Sequence, residues 1–182
     1  MAFLEISARI RKIMPEAHFL ILGGGVLQEK VESRASQADL KDAVHFANNE
    51  NDAMHVMVEM DVFLLTSRIE GLPNVLIEAQ ALGVPVVTMP VGGAAEALDH
   101  SCTGIVLEGS ESEKAAEVIV NLLHDEAWMA NARQVAPEFV KQAFCIEKAI
   151  DKILAVYDVT ENSDECASGN CVVAEEPQRN DG

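Results

Sequence analysis

The 182 residues carry a net charge of −17, from 30 acidic and 13 basic side chains, which argues against nucleic acid or an anionic membrane surface as the main partner. Apolar residues make up 49% and aromatic residues only 4%, enough for one domain with an aliphatic core. No apolar run approaches the roughly 20 residues of a membrane span, and the N-terminal MAFLEISARIRKIM lacks the basic head and apolar block of a secretion signal.

From Ala2 to Met14, the residues Phe3, Leu4, Ile6, Ile10 and Ile13 recur at helical spacing, and Pro15 follows. The run HFLIL (18–22) predicts a buried strand. GGG (23–25) then turns the chain into a helix over 26–38, with Leu27, Val31 and Ala35 on one face. A strand over 43–47 (AVHFA), a short helix from Ala53 to Met60 and a strand over 61–67 (DVFLLTS) come next. The segment EGLPNVLIEAQALG predicts a helix, and VPVVTM (84–89) another strand. Beyond PVGG the pattern predicts a brief helix over 94–99, a strand over 104–108, and helices over 111–124 and 126–157, the last interrupted near Pro137. From Val159 the composition turns acidic and polar, predicting a disordered tail over 159–182.

Short apolar strands alternating with helices predict an α/β fold over 1–158, a parallel sheet covered on both faces. Ligands of such sheets bind beyond the carboxyl ends of the strands. Cys102 and Cys145 stand among apolar letters and are expected in the core. Cys166 and Cys171 form a C-x4-C pair without further ligands nearby, so no metal site is expected there and the thiols read as those of a reduced, cytoplasmic protein.

Two stretches invite a functional reading. GGG resembles the start of a G-x-G-x-x-G dinucleotide fingerprint, but Gln28 stands where the third glycine belongs, and a tight strand-to-helix turn explains the glycines equally well. EGLPNVLIEA is more informative. Pro73 suits a first helical turn, and the backbone N–H groups of residues 71–75 then face outward, favouring an anion such as phosphate. Glu78 falls about one and a half turns further on, where its two oxygens can accept hydrogen bonds from a vicinal diol such as a ribose. The competing reading makes Glu78 a solvated helix residue and Glu70 a charge favoured near a helix start. Spacing alone leaves both open.

The stretch SRIEGLPNVLIEAQALGVPVV (67–87) resembles the E-x7-E signature of the retaining glycosyltransferases of family 4, also called group 1. These have the GT-B architecture of two Rossmann-like domains facing across a cleft. LILGGGVLQEKVE, VHFANNENDAMHVMVEMDVFLLTS and VVTMPVGGAAEALDHSCTGIVL resemble further family segments in the right order. The resemblance covers roughly residues 1–158 and implies a Rossmann-like, donor-binding half. It implies that Glu78 holds the ribose hydroxyls of a nucleotide-sugar and that Glu70, the catalytic candidate, lies beside the donor sugar. Arg68 and the backbone of Gly71, Leu72, Pro73 and Asn74 would border sugar and diphosphate. Val75 would support the ribose, Phe46 and Ala47 the base, and Gly24 and Gly25 the cleft. No cofactor or metal is implied, the nucleotide-diphosphate sugar being substrate.

Leu72-Pro73 replaces a common Phe-Gly, removing one N–H, and Ala47-Asn48 stands where a glycine is common. The arginine and lysine that hold the diphosphate in this family are absent. No Lys or Arg occurs between Arg68 and Lys114. The family sheet order 3-2-1-4-5-6 places its first strand before Met1, so a gap is expected between HFLIL and DVFLLTS. The acceptor-binding half is missing as well, so the chain reads as a fragment or as half of a split enzyme, its acceptor unknown. A separate partner chain would complete it, and could hold it at the inner face of a membrane. The rival readings are a non-catalytic nucleotide-sugar-binding or partner module and a nucleotide-sugar epimerase.

Overall fold

The computed structural model describes residues 1–47 and 53–146, together with Ile150 and Leu154. The chain divides into Met1–Cys145 and Ile146–Gly182, and the architecture below is that of the first unit. The expected tail over 159–182, the end of the last expected helix and the loop 48–52 fall outside the described residues.

In chain order the elements are α1 (Ala2–Ile13), β1 (Phe19–Leu22), α2 (Gln28–Ala35), β2 (Val44–Ala47), α3 (Ala53–Met57), β3 (Phe63–Leu65), α4 (Asn74–Ala81), β4 (Val86–Thr88), a 3-10 helix (Gly92–Ala97), β5 (Gly104–Val106), α5 (Ser112–His124) and α6 (Glu126–Ala143). All strand pairs are parallel. They form two sheets, β1-β2 and β3-β4-β5. The break falls between β1 and β3, where the missing strand was expected.

Both faces of the larger sheet are covered. Val86, Val87 and Thr88 of β4 are fully buried because successive side chains enter opposite layers. Val87 joins Ile6 and Ile10 of α1 with Ile119 and Val120 of α5 on one side. Val86 joins Leu76 and Ala79 of α4 with Ala94 and Ala97 of the 3-10 helix on the other. On the smaller sheet, Leu4 and Ala8 of α1 pack with Ala35 and Leu40 against Phe19, Ile21, Val44 and Phe46. Helix α1 therefore contributes to the cores of both sheets.

The structure corrects several sequence-based boundaries. Helix α2 begins at Gln28 because the glycine turn extends through Val26 and Leu27, both exposed. It ends at Ala35, where the Ser36 hydroxyl donates to the Glu32 carbonyl at 2.8 Å. Arg34 then reaches Asp39 through two bonds of 2.9 and 2.7 Å, and that hydrogen-bonded guanidinium holds the Asp39 carboxyl below its ordinary pKa. The brief helix expected over 94–99 is the 3-10 turn. Helix α6 continues through Pro137 without interruption, with Gly83 close to the Arg133 carbonyl one turn before the proline. Cys102 is exposed and Cys145 half-buried, so neither is a core thiol. Apolar neighbours in the sequence did not reveal that Cys102 lies in a turn following Ser101, whose φ is +70°.

Candidate functional site

The chain leaves β3 at Leu65 and runs through an open loop, 66–73, into α4. Pro73 is the N-cap, extended at φ −76° and ψ 100°, one position earlier than a first helical residue. Leu76 donates its N–H back to the Pro73 carbonyl at 3.0 Å. The N–H groups of Gly71, Leu72, Asn74 and Val75 have no partner among the described residues. Pro73 offers none. Four amide donors thus surround the start of a helix whose dipole favours an anion.

Glu78 lies on the outer side of α4, since Leu76, Ala79 and Gln80 form the buried one. Positions 74, 75 and 78 share one helical face by their spacing, and side chains on a helix lean toward its N-terminus. Glu78 is exposed, and neither it nor Glu70 nor Arg68 has a hydrogen-bond or ion-pair partner among the described residues. Glu70 is half-buried. Ile69, Leu72 and Val75 expose apolar side chains at the same mouth, Ile69 to 90%.

A second loop shapes this mouth. Gly93 donates its N–H to the Gly71 carbonyl at 2.7 Å. A Cβ on Gly92, whose φ is +48°, would overlap the Glu70 carbonyl, and one on Gly93 would stand 2.6 Å from the Gly71 oxygen. Only glycines allow this approach. The expected consequence is that Gly92→Ala displaces the 66–73 loop and destabilises the unit by about 1–3 kcal/mol, a loss read by urea unfolding.

Gln80 anchors α4 from behind. Fully buried, it donates to the carbonyls of Leu76 at 2.8 Å and Ala97 at 2.7 Å, and accepts the Thr103 hydroxyl at 2.6 Å. Thr103 in turn accepts the Asp99 N–H at 3.0 Å. Neither the glycine clamp nor this network was predicted from the sequence. The paired glycines at 92–93 were visible as a turn, but their partner was not.

Gly24, Gly25 and Phe46 line a separate hollow of about 230 Å³ at the ends of β1 and β2, with Gly23 and Gln28. Glu70, Glu78 and Val75 are not among its lining residues. Ala47 closes β2 by accepting the Gly23 N–H at 2.9 Å. The predicted site residues therefore fall into two groups, a mouth at 68–78 and a glycine hollow with Phe46. No cluster of three or more His, Cys, Asp or Glu suited to a metal occurs among the described residues.

The sequence pattern of the family described as glycosyl transferases group 1 matches residues 2–139, and the chain belongs to that family. It is 32% identical over 155 residues to the Vi polysaccharide biosynthesis protein VipC/TviE of Salmonella typhi, covering 82% of this chain and 26% of that protein. It is 35% identical over 127 residues to a GDP-mannose-dependent alpha-(1-6)-phosphatidylinositol monomannoside mannosyltransferase of Mycobacterium tuberculosis, covering 64% and 32%. Among solved structures it resembles HepE of Anabaena in complex with UDP, with a TM-score of 0.76 and 22% identity over 87% of this chain and 45% of that one. That likeness establishes the GT-B fold of this half. The chain thus spans less than half the length of these proteins.

Proposed function

We propose that the chain is the donor-binding half of a retaining glycosyltransferase and that the mouth at 68–78 grips a nucleotide-sugar. The observation that carries this reading is the set of four unpartnered amides in and just before the first turn of α4, with an exposed carboxylate, Glu78, on the outer side of that helix. Gly71, Leu72, Asn74 and Val75 donate to the diphosphate, Glu78 accepts the two ribose hydroxyls, and Glu70 stands beside the sugar. Arg68 supplies the nearby positive charge. Phe46, Ala47, Gly24 and Gly25 border the base side of the ligand. The acceptor hydroxyl attacks from the face the nucleoside diphosphate leaves, with the leaving phosphate taking the proton. No metal is required.

Charge decides how far the chain alone can take this reaction. A helix start contributes about 0.3–1 kcal/mol to an anion at an exposed site, whereas one well-placed donor in a transition state is worth roughly 2.7–4 kcal/mol. With no Lys or Arg between Arg68 and Lys114, the site holds a diphosphate more readily than it stabilises its departure. We therefore assign the missing cations to the opening loop of the family's donor domain, and the acceptor site to a second half. The exposed Ile69, Leu72 and Val75 suit a face that such a half would cover. The expected result is no sugar transfer by this chain alone and transfer once an acceptor half is added, followed by release of nucleoside diphosphate.

A non-catalytic nucleotide-sugar-binding module is the second reading, favoured by the same lack of cations. Calorimetric titration with UDP, GDP and their sugars tests the binding common to both, and the complementation assay separates them. No helix among the described residues is long and apolar enough to cross a membrane. We place the reaction in the cytoplasm, where sugar nucleotides serve as donors, with any membrane association through a partner.

A further inference from the structure

Side chains along β1 and β2 alternate between the two faces of the smaller sheet. Phe19, Ile21, Val44 and Phe46 pack with Leu4 and Ala8 of α1 on one face. Leu20 pairs in register with His45, so His45 and, by the period of two, His18 share the other face. There the two imidazoles meet. His18 Nδ1 stands 3.0 Å from His45 Nε2, and the rings stack with their centroids 5.2 Å apart. Both residues are exposed, and neither has another polar partner among the described residues.

A hydrogen bond between two exposed imidazoles gains little over water, so the contact does not account for itself as a stabilising pair. Its length is also that of two nitrogens on one metal ion. Bonds of about 2.0–2.1 Å place such nitrogens about 2.9 Å apart at a right angle and about 3.4 Å apart at the tetrahedral angle. A neutral imidazole carries its proton on either nitrogen, so both facing nitrogens can offer lone pairs at once without loss of a proton. The rings then turn about χ2, a broad torsion in histidine, to aim both lone pairs at one point beside the line that joins them.

We infer that His18 and His45 form a two-histidine chelate for a divalent transition-metal ion, Ni²⁺, Cu²⁺ or Zn²⁺, with water in the remaining positions. Imidazole suits these ions, whereas Mg²⁺ and Ca²⁺ take oxygen ligands. The net charge of −17 favours cations around the chain. No third His, Cys, Asp or Glu joins the pair among the described residues, so the chelate is open and exchangeable, unlike a closed structural site. The ion ties β1 to β2 near their amino ends, while the glycine hollow lies at their carboxyl ends. It therefore takes no part in holding a sugar nucleotide, and its binding does not depend on that reading.

The test follows the imidazole ring signals of the full chain by NMR as free Ni²⁺ is raised. The paramagnetic ion should broaden His18 and His45 at lower concentration than His55, His100 and His124. His18→Gln and His45→Gln keep an exposed polar side chain, and in each the remaining ring of the pair should need at least about tenfold more Ni²⁺, since even an indirect partner of a metal site is worth that much. Reading the rings themselves keeps binding by the thiols out of the result. Broadening of all the histidines at one concentration, or an unchanged response of the remaining ring in either variant, would overturn the proposal. So would a dimer that forms on sedimentation with Ni²⁺ alone, since the ion would then join two copies and not two strands.

Discussion

Glu78→Ala is expected to lower the affinity of the chain for UDP- or GDP-sugars by about 1.5–3 kcal/mol or more, roughly tenfold to over a hundredfold, when titrated by calorimetry. The size follows from the acceptor. A carboxylate that takes two hydroxyls makes charge-assisted bonds stronger than neutral ones. Glu78 has no other partner to lose among the described residues, and it lies on the outer side of α4. Thermal stability should therefore be unchanged, which separates a binding role from a structural one. Glu78→Gln should fall between wild type and alanine, since one oxygen remains to accept. Unchanged affinity in the alanine variant would remove the ribose assignment.

Gln80→Ala should act in the opposite sense, on stability first. The side chain is buried and joins α4 to the end of the 3-10 helix and to the strand entry at Thr103. Its truncation leaves the Ala97 carbonyl and the Thr103 hydroxyl without that partner and opens a cavity, for an expected loss of about 2–5 kcal/mol. In urea the midpoint should drop with little change in slope. Nucleotide-sugar affinity, measured where the variant remains folded, should fall less than in Glu78→Ala, because the amides at the helix start remain.

How much of this could be read from the letters depends on range. The strand VPVV was legible because a doubly covered parallel strand is a near-continuous apolar run, and β4 is buried at every position. The break in the sheet was legible by counting strands against the family order, and it appears between β1 and β3. The helix start was legible from proline chemistry to within one residue, Pro73 being the N-cap and not the first helical residue. What the letters hid was contact at a distance. Leu27 looks like a helix core residue, yet the glycine turn carries it, with Val26, into solvent. Cys102 sits among apolar neighbours in sequence but on an exposed turn in space. The Gly92–Glu70 approach joins segments more than twenty residues apart, and glycine alone does not say which backbone it admits. The E-x7-E pair was found through its resemblance.

Amide chemical shifts during titration with UDP-glucose are the most direct measurement. If the mouth holds an activated sugar, the signals of Gly71, Leu72, Asn74 and Val75 move together to a common saturation point, while those of Leu20 and Leu64 in the open sheet edge stay in place. Saturating ligand that leaves these four amides unmoved, or that shifts only residues elsewhere, would contradict the account.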